Sequence, residues 1–198
     1  INVWINDGTK ITNVAATDTS FRSGKIGLAA YNGASSENVR FDNISVIPSA
    51  LYSQDFNGGT AANWTATSGT WAVESGEYSG TVSASTLGMS YYNAANYSDF
   101  TYSLTSRFVT GGGDTYIPFR YVDANNHYFA YISTVNGYQF LRIYRKVGGT
   151  TTQIGAQAAY VPPVGTNIGW TITCSGNNIN ITVNDGTNIK NVSATDSG

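Results

Sequence analysis

The first and last twenty residues of this 198-residue chain are two copies of one segment. Residues 1–20 read INVWINDGTKITNVAATDTS and residues 179–198 read INITVNDGTNIKNVSATDSG, which are identical at twelve of twenty positions without a gap. A folded domain has one position for each strand, so both copies cannot fill the same place in one domain. We therefore expect a repeat of about 178 residues with an overlap of twenty, as in a piece of a tandem-repeat array.

Each copy alternates apolar and polar residues and then reaches a turn. The alternating apolar residues are Ile1, Val3 and Ile5 in the first copy and Ile179, Ile181 and Val183 in the second. Both runs lead into Asn-Asp-Gly, which predicts a β-hairpin because glycine adopts positive φ at little steric cost. Similar runs separated by Gly- and Asn-rich turns recur along the chain, without helical periodicity. The pattern predicts an all-β, two-sheet antiparallel β-sandwich of the jelly-roll kind.

The composition is polar with few charges and favours an extracellular protein. Charged residues make up 11% of the chain and the formal net charge is -2, so no nucleic-acid partner is expected. No apolar run approaches the ~18 residues that a membrane-spanning helix needs, so no membrane-spanning segment is predicted. The single cysteine, Cys174, alternates with Trp170 and Ile172, which predicts a buried thiol.

Four segments carry a resemblance to a known family. They are residues 56–80 with Trp64, Gly69 and Trp71, residues 119–133 (FRYVDANNHYFAYIS), residues 179–186, and residues 24–46. Together they resemble the concanavalin-like, laminin-G-like jelly-roll domain of the family-66 carbohydrate-binding-module type, which includes the 3-keto-disaccharide hydrolase domain. The resemblance implies a jelly roll whose concave sheet is the ligand side. The family's closing motifs stand first in this chain, so the domain is in permuted order.

The permuted order predicts how the repeats divide. Residues 1–48 would hold the C-terminal strands of one repeat, and residues 51–198 the N-terminal and central strands of the next. Residues 21–47 either fold back in the same chain or complete a neighbouring copy, and the sequence leaves both open. In either case one hairpin, at residues 1–20 or 179–198, has no position in its own domain. Its apolar row would form an exposed edge that pairs with another copy.

The inventory of catalytic residues argues against an enzyme. There is one histidine, His127, and no Gly-x-Ser-x-Gly nucleophile elbow. The three glutamates do not form the Glu-x-Asp-x-x-Glu run of glycosidases on concanavalin-like folds. A carboxylate pair brought together by folding stays open. No cofactor is predicted; turns such as Asp7-Gly8-Thr9 and residues 123–126 offer oxygen ligands for calcium, but a turn-forming role is the favoured interpretation.

A binding face is predicted on the strands between residues 115 and 147. Alternate residues there point away from the core, and the candidate ligand-binding residues are Tyr116, Arg120, Tyr131, Arg142 and Tyr144, with Tyr121 assigned to the core. Aromatic rings beside charged groups are typical of sugar recognition, because sugar C–H faces stack on rings while hydroxyls hydrogen-bond to charges. The alternative is a cross-strand ladder that stabilises the sheet, or a contact between modules.

These observations lead to two functional hypotheses. The first is a non-catalytic extracellular repeat unit of a surface fibre or adhesin-like tandem-repeat protein, which assembles head-to-tail with other copies by strand complementation. The residues of that assembly would be Ile1, Val3, Trp4, Ile5, Ile179, Ile181 and Val183. The alternative is a carbohydrate-binding module of a secreted polysaccharide-active enzyme or adhesin, with glycans as partners.

Overall fold

Strands make up all the regular structure in the described part of the chain. The computed structural model describes residues 3–6, 11–14, 25–32, 37–47 and 52–196. Its strands are β1 (Val3–Asn6), β2 (Ile11–Val14), β3 (Gly27–Asn32), β4 (Glu37–Ile47), β5 (Tyr52–Gln54), β6 (Trp64–Ser68), β7 (Thr70–Glu74), β8 (Glu77–Val82), β9 (Thr86–Tyr92), β10 (Phe100–Phe108), β11 (Gly113–Asp123), β12 (Asn126–Ser133), β13 (Phe140–Val147), β14 (Thr150–Ala159), β15 (Ile168–Ser175), β16 (Asn178–Asn184) and β17 (Ile189–Thr195). Across these ranges no helix is long and apolar enough to cross a membrane.

Two large antiparallel sheets form the sandwich. The eight-stranded sheet has the order β17-β16-β15-β10-β4-β8-β7, and β5 pairs with β4 beside this path. The seven-stranded sheet has the order β14-β13-β12-β11-β3-β9-β6. Strands β1 and β2 pair with each other in a separate two-stranded sheet. The predicted all-β, two-sheet antiparallel sandwich is confirmed.

The core lies between the sheets, and alternation along strands such as β10 builds it. Every second residue of β10 is buried, beginning with Phe100 and Tyr102. On the neighbouring β15, Trp170 is buried and its indole N–H donates a hydrogen bond to Ser106 Oγ at 2.8 Å. Cys174 is 1% exposed on the same strand, and burial raises the pKa of its thiol to about 12. The alternation leaves the other face of each strand for solvent or ligand.

Residues 27–47 supply central strands of both sheets. β3 lies between β11 and β9, and β4 lies between β10 and β8. The side chains of Leu28 and Phe41 are fully buried in the core. Within this chain, the segments that resemble the family's closing motifs therefore pair with strands that follow them in sequence.

The two copies of the duplicated segment occupy different positions. The second copy forms β16 and β17 at the edge of the eight-stranded sheet, where β16 pairs with β15. Its Ile179, Ile181 and Val183 are buried in the core. In the first copy, β1 and β2 form the separate two-stranded sheet, with Val3, Trp4 and Ile5 on β1. The predicted assembly residue Ile1 lies outside the described residues.

Candidate functional site

The outer face of the seven-stranded sheet carries large side chains on three adjacent strands. In the register of β11, β12 and β13, Tyr116 lies opposite Tyr131, and Tyr131 lies opposite Arg142. Phe129 lies opposite Tyr144 on the same face. The residues between them along each strand point into the core. Strand alternation therefore gathers four of the five predicted ligand-binding residues on one surface.

The rings on this surface contact one another. Tyr116 packs against Phe129 and Tyr131, with ring centroids 5.2 and 5.3 Å apart. Phe129 stacks on Tyr144 at 5.0 Å, and Tyr31 of β3 makes an edge contact with Tyr116 at 6.0 Å. Aromatic pairs of this kind contribute about 0.5–1.5 kcal/mol each beyond their burial. The rings thus form the cross-strand ladder given above as an alternative, and the same rings line a cavity.

The cavity opens directly over the ladder and has a volume of about 510 Å³. Its lining residues are Tyr31, Asp114, Tyr116, Phe129, Tyr131, Val135, Tyr138, Arg142, Tyr144 and Thr151. A second cavity of about 240 Å³ shares Tyr31, Tyr116, Phe129 and Thr151 with the first and extends towards Met89 and His127. We call the two together the aromatic groove. The larger cavity is within the ordinary range of small-molecule sites, about 300–1,000 Å³.

Asp114 is the carboxylate of the groove. Its side chain is 6% exposed, and the side chains of Tyr131 and Ser133 lie beside its carboxyl group. Its Oδ1 atom is buried without a hydrogen-bond partner among the described residues. Burial raises the pKa of this carboxyl above the ordinary value for aspartate. A buried acceptor without a partner is costly, and a ligand donor that reached Oδ1 would remove that cost.

Arg142 supplies the positive charge of the larger cavity, and its neighbours hold its guanidinium group in place. Its guanidinium carbon lies 4.7 Å from the ring centroid of Phe140 and 5.9 Å from that of Tyr131. Nε donates a hydrogen bond to Gln157 Oε1 at 2.7 Å, and Nη1 donates to the Tyr144 hydroxyl at 3.4 Å. These contacts fix the plane of the guanidinium group, which can donate hydrogen bonds to two ligand oxygens at once.

The hydroxyl groups of Tyr116 and Tyr131 and the imidazole of His127 are uncharged near neutral pH. Burial raises the pKa of Tyr116 and of Tyr131 well above that of free tyrosine, with the nearby Asp114 carboxylate adding to both. Burial lowers the pKa of His127, and the charge of Lys146 lowers it further. The groove therefore combines neutral hydroxyl groups with the Asp114 carboxylate, the Arg142 guanidinium and, in the smaller cavity, the Lys146 ammonium group. These donors and acceptors suit a polyhydroxyl ligand.

Arg120 does not belong to this surface, and its predicted place there is wrong. Its side chain is 2% exposed, and its guanidinium donates hydrogen bonds to the Ser98 and Gly176 carbonyls at 3.0 and 2.5 Å. The cause is a β-bulge, because Arg120 has φ 45° and the β11–β12 register shifts between Phe119 and Asp123. Against β3 the same stretch of β11 has one extra residue, between the pairs Tyr116↔Ala29 and Tyr121↔Lys25, which reverses the alternation beyond it.

The bulge also corrects the assignment of Tyr121. The sequence alternation placed Tyr121 in the core, but it stacks on Tyr91 at 4.9 Å and packs near His127 at 5.3 Å. Together with Ala29 and Met89 it forms a small apolar cluster that is separate from the main core. This cluster continues the aromatic surface beyond the groove.

Sequence reasoning missed several residues that line the groove, among them Tyr31 and Thr151. Tyr31 follows the core residues Leu28 and Ala30 in alternation, so its outward direction was readable from the sequence. Its position beside Tyr116 follows from the pairing of β3 with β11, which the permuted order of the motifs conceals. Thr151 lies on β14, whose polar sequence gives no strand signal.

The described residues contain no group of three or more His, Cys, Asp or Glu side chains placed to hold a metal ion. The carboxylates of the Asp-rich turns serve their own turns instead. Asp123 accepts a hydrogen bond from the Asn125 backbone N–H at 2.7 Å, and Asp185 accepts one from that of Asn188 at 2.6 Å. The other calcium candidate, Asp7, lies outside the described residues.

Comparison with known proteins identifies the family. A family model described as the 3-keto-alpha-glucoside-1,2-lyase-like domain matches residues 52–198, which is well over half of the chain. The match includes β11, β12 and β13, which carry most of the aromatic groove. No curated protein and no solved structure matches the chain. The chain therefore belongs to the 3-keto-alpha-glucoside-1,2-lyase-like domain family, of concanavalin-like jelly-roll type.

Proposed function

We propose that this domain binds carbohydrate in the aromatic groove. The observation that carries the proposal is Asp114, a buried carboxylate at the groove with one oxygen unpartnered. A sugar hydroxyl is a neutral donor that would satisfy Oδ1 without bringing a second charge into the site. The matching family is named for a glucoside-acting lyase, which points to the same class of ligand.

The rings around Asp114 complete a sugar site. Tyr116 and Tyr144 are half-buried, so part of each ring remains available to the C–H face of a pyranose. Tyr138 is 58% exposed at the rim and offers a further stacking surface. The guanidinium of Arg142 can donate hydrogen bonds to two adjacent hydroxyl oxygens. The adjoining smaller cavity provides room for a neighbouring sugar unit, which favours an oligosaccharide over a single sugar.

We further propose that the domain is a non-catalytic, extracellular module. Among the residues lining the two cavities Asp114 is the single carboxylate, whereas glycoside hydrolysis needs a pair about 5–9.5 Å apart. His127, the one histidine, is 3% exposed, and its Nδ1 contacts the Asp123 carbonyl at 3.0 Å. Incubation with α-glucosides and their 3-keto derivatives tests this point. Release of the aglycone that is lost in Asp114→Asn would contradict a non-catalytic role.

A glycan array followed by calorimetric titration tests binding itself. We expect Arg142→Ala to weaken the selected glycan about 10-fold or more, since a charged hydrogen bond is worth about 1.5–3 kcal/mol. The matched control is Arg107→Ala, which removes an arginine that bonds Glu77 on the other sheet at 2.6 Å. Unchanged affinity in Arg142→Ala, or an equal loss in Arg107→Ala, would refute the groove as the site.

A second proposed function is self-assembly as a repeat unit of a surface fibre or adhesin-like protein. The specific observation is the duplicated hairpin. One copy fills the edge of the eight-stranded sheet, and the other forms a separate two-stranded sheet. Light scattering of the chain over a range of concentrations tests this role: a mass that rises with concentration supports it, and a constant monomer mass refutes it.

A further inference from the structure

The position of β16 and β17 beside β15, which we call the edge position, is defined by a row of buried apolar side chains. This row comprises Ile179, Ile181, Val183, Val192 and Ala194, each at most 7% exposed. The backbone of β16 pairs with β15 over seven residues, from Gly169↔Asn184 to Ser175↔Asn178. Apolar contact and a full hydrogen-bond ladder therefore hold the hairpin in place together.

Two carboxylates fix the hairpin at its turn and at its end. Asp185 accepts a hydrogen bond from the Tyr160 hydroxyl at 3.2 Å. Asp196 accepts one from the Tyr128 hydroxyl at 2.9 Å and forms an ion pair with Arg145. Both carboxylates are at least nine-tenths buried, so any segment at the edge position needs an acid at each of these places.

The first copy carries every one of these anchoring groups. At a constant offset of 178, Ile1, Val14 and Ala16 match the apolar anchors, and Asp7 and Asp18 match the two acids. The remaining two apolar anchors differ by one methylene group each. Val3 is smaller than Ile181 and Ile5 is larger than Val183, so the total side-chain volume is conserved.

The larger changes fall at positions that the edge position does not bury. These positions are Thr182, Asn188, Lys190 and Ser193, which are exposed or half-buried and correspond to Trp4, Lys10, Thr12 and Ala15. A sequence that only resembled a hairpin would need to keep alternation alone. This one keeps the buried groups, either identical or exchanged between Val and Ile, and its larger changes fall only at exposed or half-buried positions, as expected for a segment that fits the same place.

We infer that residues 1–18 of one copy dock at the edge position of a second copy, against its β15, in place of that copy's residues 179–196. The inference rests on the proposed self-assembly and names its interface. In each chain the edge position is filled by its own second hairpin, while β1 and β2 pair with each other apart from the sandwich. Because the two hairpins present nearly the same buried groups, the exchange is close to balanced, and its extent rises with protein concentration.

The register of the exchange is set by the duplication and supplies a test. Thr171 on β15 is exposed and lies opposite Thr182, which corresponds to Trp4. In the full chain with Cys174→Ala, the pair Trp4→Cys and Thr171→Cys is allowed to oxidise at several concentrations. The positive control pairs Thr171→Cys with Thr182→Cys, since directly opposite residues are close enough for a disulfide.

The negative control pairs Thr171→Cys with Thr12→Cys, which would lie one strand further out. We expect the 4–171 pair to give disulfide-linked dimers and larger species, increasing with concentration, with the bond mapped by mass spectrometry. Two outcomes overturn the inference. In the first outcome, the 4–171 pair forms no more disulfide than the 12–171 pair, although the 171–182 control pair does form its disulfide. In the other, the 4–171 bond forms only within a monomer.

A charge in either hairpin gives a matched second test in the same background. Val3→Asp is expected to lower the yield of 4–171 dimers to that of the negative control without affecting the chain's own edge position. Ile181→Asp is expected to raise the yield of 4–171 dimers, because this substitution weakens the binding of the chain's own second hairpin, which the first hairpin of another copy displaces. Equal dimer yields in both variants would contradict the inference. If the chain without new cysteines still assembles while the 4–171 link never forms, self-assembly stands and this interface is wrong.

Discussion

Replacing Asp114 by asparagine is expected to stabilise the fold and weaken the binding of glycan. Burial raises the pKa of this carboxyl, so the folded chain holds its proton more tightly than the unfolded chain does. The unfavourable contribution of the ionised group is therefore absent at low pH, grows as the pH rises through the raised pKa, and is fully present at neutral pH. The asparagine side chain has the same shape and no charge, so the variant escapes this cost.

Each unit by which burial raises this pKa costs the folded chain about 1.4 kcal/mol at neutral pH, and each 1 kcal/mol recovered by the variant corresponds to a rise in Tm of roughly 2–4 °C for a domain of this size. The advantage should shrink as the pH falls through the raised pKa, because the wild-type carboxyl then takes up its own proton. The affinity for glycan should fall about 10- to 100-fold, because a charged hydrogen bond of about 1.5–3 kcal/mol is lost. Calorimetric melting at pH 7 and pH 4 and titration with glycan measure both effects.

Asp123→Asn is the control with the opposite sign. Hydrogen bonds from the Asn126 side chain and the Asn125 backbone lower the pKa of the exposed Asp123 carboxyl. Its contribution to stability is present at neutral pH and is lost as the pH falls through the lowered pKa. Asp123→Asn should therefore lower Tm at pH 7 and leave binding unchanged. The reasoning is refuted if Asp114→Asn melts at or below the wild-type temperature at pH 7, or if its advantage persists undiminished in acid.

Three further predictions concern the frame of the site. Arg120→Ala should lower the free energy of unfolding by about 3–5 kcal/mol in urea titration, because its buried guanidinium bonds two backbone carbonyls; a surface-like loss below 1 kcal/mol would contradict this role. Gly155→Ala should cost about 2–5 kcal/mol, since φ is 69° and the new Cβ would meet the Ser193 carbonyl, whereas Gly165→Ala, at φ 76° with open space around it, should cost only about 1–2 kcal/mol. Cys174 should remain unreactive towards a thiol reagent at pH 8 until the chain is unfolded, because burial raises its thiol pKa to about 12; rapid labelling of the native chain would show that the strand is open.

Strict alternation made most of the fold and much of the site predictable from the sequence. The outward rows of β12 and β13 placed Tyr131, Arg142 and Tyr144 correctly, because neither strand has a register shift in its pairing with the other. Prediction failed beyond Phe119, where a non-glycine residue adopts a positive φ and reverses the alternation. Nothing in FRYVD marks Arg120 as that residue, since glycine and asparagine are the usual signals of such a conformation.

Some strands have local sequences without a two-residue period, so the sequence alone gives little sign of them. β9 reads TLGMSYY and β14 reads TTTQIGAQAA, and the second is mostly exposed, so it has little apolar signal to reveal it. Long-range pairing was hidden for a different reason. β3 and β4 are central in their sheets, yet their partners lie far along the chain, and only the permuted order of the motifs hinted at this. The place of Tyr31 in the groove depends on that pairing.

Chemical-shift mapping of the isotope-labelled chain with the glycan selected by the array tests the central claim most directly. We predict saturable shifts of the backbone amides of Asp114, Tyr131 and Tyr144 and of the Arg142 Nε–H group. The amides around Arg40 and Glu77, on the other sheet, should not move. Shifts centred on the Arg40–Glu77 surface, or none at glycan concentrations that saturate binding, would contradict a carbohydrate site in the aromatic groove.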